Sequence, residues 1–248
     1  MASRGILSYG AYLPYRRLDR SEIRAVAGGG GGSGTRTVAS YDEDATTMGV
    51  AAARAALEAS PESVRPGSLW FATVSPPYLD KTNATAIHAA LRLDATVPAF
   101  DVNGAVRSAV GALRAGLDSG TPALVVAGDI RTGLPGSGDE SAGGDAASAL
   151  LVGSSDDGAL LAEVVGAGSA TEEFLDRWRT PGDSRSKLWE ERFGEGRYVA
   201  LGLAAWDDAL KDAGLVADQV DRVISPTPHA RAATTLGKRL GLGDRLAA

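Results

Sequence analysis

The chain has 248 residues, 44% of them hydrophobic and 23% charged, and its formal net charge is -6 at pH 7. This length allows one large domain or two fused halves with a substantial core, and the acidic balance argues against nucleic acid as a partner, because a phosphate backbone needs a basic surface. The sequence contains no cysteine, which excludes a disulfide, a zinc–thiolate site and a thiolate nucleophile supplied by this chain.

Apolar positions alternate between strand and helix periodicity, which predicts a layered α/β fold with a mostly parallel sheet. Residues 5–12 are the first predicted strand, and Asp19 precedes a short predicted helix. The glycine-rich run 28–34 lacks the flanking strand, helix and Lys-Ser/Thr pair of a phosphate-binding loop. It is therefore predicted to be a flexible surface loop.

The pattern strengthens from residue 42 onwards. Three carboxylates, at 42–44, precede an alanine-rich helix predicted over 45–59, whose small side chains allow close packing. An apolar strand over 69–74 and a helix over 83–93 enclose the loop 75–82. Because ligands of open α/β sheets gather at the carboxyl ends of strands, this loop is a predicted part of the binding site.

The next predicted strand covers 97–102 and leads into a helix over 104–117. This helix is poor in charge on all sides and is predicted to lie inside the protein. Strands over 123–128 and 146–152 follow, with a glycine-rich loop at 133–144 between them.

The second half, predicted as 156–248 after a first half of 1–155, begins with an apolar segment at 159–165. Residues 172–197 mix aromatic and charged side chains and predict an irregular excursion. A helix over 198–213 with a C-cap at Gly214 follows. A strand over 220–224, a proline-rich loop and a helix over 230–240 complete the chain.

Several segments resemble the 3-hydroxy-3-methylglutaryl-CoA synthase family of the thiolase-like superfamily, particularly its archaeal and actinobacterial branch. They occur in the family's order: residues 5–14, 42–54, 77–78 with Lys81, 174–179 and 220–224. The resemblance implies a layered α-β-α-β-α fold of two similar halves, usually a homodimer, with an acyl-CoA site between the halves.

Enzymes of that family use a cysteine to form an acyl-enzyme, a glutamate as general acid/base and a histidine to hold the second substrate and activate the thiol. By position, the cysteine falls at Val106, the glutamate at Val74 and the histidine at Pro226. None of these side chains transfers a proton or attacks a carbonyl. We therefore expect a protein that binds acyl-CoA or a related thioester but acts as a non-catalytic or partner subunit of an acyl-CoA-processing complex.

Two catalytic alternatives stay open. One is a cysteine-independent C–C bond lyase of the retro-aldol type, for which Tyr78 and His229 are the candidate residues. The other is an acyl-condensing enzyme that uses another nucleophile, such as Ser108. This serine lies about 200° around its helix from Val106 and is more simply explained as a packing hydroxyl.

Lys81 and Arg231 match basic positions of the family and are candidate contacts for a CoA phosphate, although a solvated cation explains both residues equally well. No tightly bound cofactor is expected, and a CoA thioester is the expected ligand. With His88 and His229 as the only histidines, no metal site is expected either.

Relative to the family, the second half is short, because a further strand, loop, helix and strand pair are missing. The expected explanations are a fragment, a second polypeptide that supplies the strands, or a dimer partner. Expected partners are a second copy, another thiolase-like protein or a zinc-ribbon/OB-fold protein. No run of about 18 apolar residues and no signal-peptide pattern occurs, so we expect a cytoplasmic protein with no membrane association.

Overall fold

The computed structural model describes residues 2–247, so the outermost positions of the two predicted halves, 1 and 248, lie outside the described residues. The chain forms two compact units, Met1–Glu163 and Val164–Ala248. The first unit contains β1 (Arg4–Tyr12), β2 (Arg16–Asp19), α1 (Arg20–Ala27), β3 (Thr35–Val38), α2 (Ala45–Glu58), β4 (Ser68–Thr73), α3 (Ala84–Ala90), β5 (Ala99–Asn103), α4 (Ser108–Asp118), β6 (Ala123–Asp129), α5 (Gly138–Ala142), β7 (Ala146–Ser154) and β8 (Ala162–Glu163).

A six-stranded sheet in the order β5-β4-β6-β7-β1-β8 forms the centre of this unit. The β5, β4 and β6 strands are parallel, whereas β7, β1 and β8 continue the sheet in antiparallel pairs. The expectation of a mostly parallel sheet therefore holds for one side only. The connection between β6 and β7 contains only the short α5, and an antiparallel pair can be joined by such a connection at one edge of the sheet.

Helices cover both faces of the sheet. The α2 helix packs on β1, β6 and β7 and contacts α3 on the same face, whereas α4 packs on β4, β5 and β6 on the other face. The α2 contact is close because both sides are small: a Cβ atom on Gly10 of β1 would lie 2.2 Å from the carbonyl oxygen of Ala52. The alanines of α2 thus serve the close packing that the sequence predicts.

The structure corrects the prediction for the charge-poor helix over 104–117. The α4 helix begins only at Ser108, and Ala112 and Gly116 are its buried residues, whereas Val110 is 61% exposed. One face packs on the sheet and the other faces outward, so the helix is not buried on all sides. The sequence did not predict the antiparallel pair of β2 and β3 or the short α5 within the loop 133–144.

The second unit contains β9 (Arg177–Trp178), β10 (Lys187–Leu188), α6 (Glu191–Ala213), β11 (Val223–Ile224), α7 (Ala230–Arg239) and β12 (Leu246–Ala247). The α6 helix is longer than predicted, and it ends at Gly214, whose φ of 67° confirms the predicted C-cap. A short antiparallel pair, β9 and β10, lies within the predicted irregular excursion. Over the described part of the chain, no helix has the length and apolar character needed to cross a bilayer.

Candidate functional site

The carboxyl ends of β4, β5 and β6 meet at one edge of the sheet in the first unit. Thr73 of β4 pairs with Asn103 of β5, and the amide of Gly104 donates a hydrogen bond of 3.2 Å to the carbonyl of Thr73. Val74 directly follows β4, and Val106 lies in the turn after β5. The structure therefore brings these two predicted site positions to the same edge.

A carboxylate that the sequence reasoning missed ties this edge together. Asp129, the last residue of β6, accepts hydrogen bonds from the Thr73 hydroxyl (2.9 Å) and the Val74 amide (2.7 Å) through Oδ1. The amide of Ile130 donates to the hydroxyl of Ser75 at 2.9 Å. The sequence does contain a signal for Asp129: it is an acidic residue at the end of an apolar predicted strand, and the carboxyl ends of parallel strands lie at the same edge of a sheet.

The two valines differ in their surroundings. Val74 is buried with 8% of its surface exposed, whereas Val106 is 39% exposed. Neither side chain carries a donor, an acceptor or a titratable group, so this edge offers apolar contact at both positions. Proton transfer at the edge would fall to the Asp129 carboxylate and the nearby hydroxyls of Thr73 and Ser75.

The loop 75–82 presents Tyr78 and Lys81 at the same edge. Tyr78 is 55% exposed, and the Lys81 ammonium lies 5.3 Å from the centre of its ring. This distance is within the range of a cation–π interaction. The structure thus pairs a candidate phenol with a candidate CoA contact.

In the second unit, His229 is the N-cap of α7. Its Nδ1 atom accepts a hydrogen bond from the Ala232 amide at 3.1 Å, and its Nε2 atom lies 2.9 Å from the Glu191 carbonyl oxygen. Because a carbonyl oxygen only accepts, Nε2 carries the proton. The Nε2 contact links α7 to α6, whereas the Nδ1 contact caps the first turn of α7 itself. A catalytic role for His229 would require these contacts to be broken.

The remaining predicted residues of this unit lie close by along the chain. Pro226 is exposed in the loop before α7. Arg231 forms ion pairs with Glu195 at 3.2 Å and with Glu191 at 3.6 Å. Its charge is therefore already balanced by two carboxylates of α6, which favours a structural role over a contact with a phosphate.

Tyr198 of α6 has a strongly raised pKa. Burial, followed by the nearby charge of Asp176 and the 3.1 Å hydrogen bond to it, raises the pKa of Tyr198 to about 12. Its ring also contacts Phe174 and His229, with centre-to-centre distances of 5.2 and 5.8 Å. The phenol is thus a fixed hydrogen-bond donor at neutral pH.

Among residues 2–247, no group of three or more histidine, aspartate or glutamate side chains could hold a metal ion.

No protein-family model matches the chain. Comparison with known proteins nevertheless gives a consistent result. The chain is 30% identical over 247 residues to the hydroxymethylglutaryl-CoA synthase of Pyrococcus furiosus, covering 96% of this chain and 70% of that protein. It is 28% identical over 255 residues to the enzyme of the same name from Picrophilus torridus, covering 97% and 71%.

Solved structures agree at the level of the fold. A crystal structure of HMG-CoA synthase complexed with CoA matches with a TM-score of 0.81 and 18% identity, over 98% of this chain and 67% of that one. The 3-oxoacyl-(acyl carrier protein) synthase III of Pseudomonas aeruginosa matches with a TM-score of 0.80 and 22% identity, over 99% and 82%. The fold is therefore the predicted thiolase-like α/β fold, and the chain belongs to the hydroxymethylglutaryl-CoA synthase family.

Proposed function

We propose that this chain is a thiolase-like scaffold that binds a CoA thioester and does not perform the thiolate chemistry of its family. The observation that supports the proposal is the carboxyl edge of β4 and β5, which brings together Val74 and Val106, the two positions to which the family resemblance assigns the glutamate and the cysteine. An aliphatic side chain forms no acyl-enzyme and transfers no proton. The chain can then bind a thioester without forming an acyl-enzyme.

A scaffold of this kind serves as a non-catalytic subunit of an acyl-CoA-processing complex. Its expected partners are a second copy, another thiolase-like protein or a zinc-ribbon/OB-fold protein. The partner then supplies the reactive groups, and this chain contributes surface for the CoA moiety. Lys81 is the candidate contact for a CoA phosphate, because its ammonium is exposed and is held beside Tyr78.

Calorimetry with acetyl-CoA and intact-mass analysis test the proposal together. We expect the wild-type chain to bind acetyl-CoA and to keep its mass after incubation, because no acyl group is transferred to it. The absence of binding, alone or with co-purified partners, would remove the proposal. A mass increase of one acetyl group on a serine such as Ser108 would replace it with a covalent enzyme.

Val106→Cys is an informative variant, with Val110→Cys as its matched control, since both residues are exposed valines of the same segment. If position 106 faces the thioester, the thiol at 106 is acetylated faster than the thiol at 110 at equal pH. Equal acetylation rates of the two thiols would show that position 106 is no closer to the bound acyl group than position 110.

One observation favours the retro-aldol lyase as a second candidate: Tyr78 is an exposed phenol with an ammonium group beside its ring. The phenol lies on an exposed loop at the carboxyl ends of the strands, where ligands of such sheets gather, and a retro-aldol step needs a group there that accepts the proton of the β-hydroxyl. Partner-dependent cleavage of a β-hydroxyacyl-CoA that is lost in Tyr78→Phe would support the lyase. Unchanged turnover in that variant would exclude Tyr78 as the base.

A further inference from the structure

The turn that carries Tyr78 and Lys81 is wound around one buried amide. Asn83 is 1% exposed, and its Oδ1 atom accepts a hydrogen bond from the Tyr78 amide at 3.1 Å. Its Nδ2 atom donates to the carbonyl oxygens of Tyr78 (3.0 Å) and Lys81 (3.2 Å). Both ends of the turn 78–81 are therefore tied to a single side chain.

Asp101 of β5 fixes this amide in turn. Its Oδ2 atom accepts a hydrogen bond from the backbone amide of Asn83 at 2.7 Å and lies 2.9 Å from Nδ2. The two hydrogens of Nδ2 are thus shared among Asp101 and the two carbonyl oxygens. Its Oδ1 atom accepts from the Ala84 amide at 2.7 Å, at the start of α3. Because Asp101 lies on β5, the turn is anchored to a strand of the six-stranded sheet. We call this pair the Asn83–Asp101 clamp.

The turn that the clamp holds is strained and carries a positive charge. Asp80 has a φ of 57°, a left-handed conformation that costs a non-glycine residue about 1 kcal/mol or more. The exposed Lys81 ammonium is held against the Tyr78 ring and also donates to the Thr82 carbonyl at 3.2 Å. A strained turn persists only when its surroundings fix it, and the clamp supplies that restraint.

From this arrangement we infer that the Asn83–Asp101 clamp is a positioning device that presents Lys81 to a phosphate group of CoA. The inference rests on the proposed function. Neither clamp residue needs to touch the ligand, because each acts through the turn. Holding the turn in one conformation before binding removes the ordering cost that a flexible loop would impose on the complex.

The clamp predicts that affinity depends on Asn83 only through Lys81 and only for ligands with phosphate. Calorimetry would compare CoA with pantetheine, which has no phosphate, on the wild type, Lys81→Ala, Asn83→Ala and the double variant. Each single variant is expected to weaken CoA binding about tenfold, and the double variant about as much as either single one. Pantetheine affinity is expected to be unchanged. Asp94→Ala, which removes a turn contact beyond the other end of α3, is the matched control.

Three results overturn the inference. Equal weakening of CoA and pantetheine in Asn83→Ala would assign the clamp a general structural role, as would a lower melting temperature with unchanged CoA affinity. Additive losses in the double variant would show that Asn83 does not act through Lys81. Should Asn83→Ala fail to fold, Asp101→Asn provides the same comparison from the other half of the clamp. If the wild type binds neither CoA nor pantetheine, the proposed function is wrong as well. If the wild type binds CoA and Asn83→Ala binds it equally well, this inference alone is wrong.

Discussion

Replacing Asp145 by alanine should be among the most destabilising single changes in the first unit. Asp145 is 2% exposed and forms a 3.2 Å ion pair with Arg36, which is 7% exposed. Its oxygens also accept hydrogen bonds from the amides of Ala39 and Arg131, both at 2.8 Å. One carboxylate therefore joins β3, the segment after β6 and the start of β7.

The magnitude follows from what the substitution leaves behind. Arg36 keeps hydrogen bonds to the carbonyls of Glu140 and Arg131, both at 2.9 Å, but its buried charge loses the opposite charge. Two backbone amides lose their acceptor as well. Breaking a buried pair from one side costs about 3–5 kcal/mol, so we expect the free energy of unfolding of Asp145→Ala to fall by about 4 kcal/mol.

Urea unfolding followed by far-ultraviolet circular dichroism measures this loss, provided that the slope with urea stays constant. Asp118→Ala is the matched control, because it breaks a 3.3 Å pair with Arg114 in which both side chains are more than half exposed. That pair contributes about 0.5 kcal/mol or less. A loss below about 1 kcal/mol in Asp145→Ala would refute the reasoning, since it would mean that water or rearrangement satisfies Arg36.

Three further outcomes test separate parts of the structure. Gly10→Ala should lower the free energy of unfolding by about 3 kcal/mol in a urea titration, because the new methyl group meets the Ala52 carbonyl. Gly111→Ala is the control and should not lower it, because a Cβ atom at that position faces open space. The backbone amide and then the hydroxyl of Ser154 lower the pKa of Asp157, so its contribution to stability is present above the ordinary value of 3.8 and is lost as pH falls through the lower folded value. Asp157→Asn should therefore flatten the acid limb of a plot of stability against pH, and an unchanged limb would contradict this. Burial and Asp176 raise the pKa of Tyr198 to about 12, so the stability of the wild type should fall between about pH 10 and 12. Tyr198→Phe should reduce that fall, and in an absorbance titration it should remove the phenol that ionises at the highest pH.

The sequence was most informative where the determinants are local. The carboxylates before α2 predicted its N-terminus, and Asp44 indeed caps it, with Oδ1 2.7 Å from the Thr47 amide. The apolar run that became β4 and the glycine that ends α6 were likewise located from neighbouring residues alone. Periodicity and capping act within a few positions, so a single sequence contains them completely.

Features that depend on distant residues were missed. The local sequence around Arg36 is polar and gives no sign that the residue is buried. Its ion pair with Asp145 nevertheless makes it part of a buried network that supports the antiparallel pair of β2 and β3. Asp129 was overlooked because its importance arises from the pairing of β4 with β6, which places it beside Val74. The α4 helix was placed too deep because its composition does not say how many of its faces meet another layer.

The candidate site illustrates why inert residues need not disturb such a scaffold. At the sheet edge, the backbone amide of Val74, not its side chain, donates to Asp129. The turn with Lys81 is held by Asn83 and Asp101, which are not among the positions that the resemblance assigns to the family's reactive residues. The side chain at position 74 therefore takes part in none of these hydrogen bonds. Because the groups that shape the edge are distinct from the side chains at 74 and 106, the proposed absence of reactive groups at these two positions is compatible with an edge that keeps its shape.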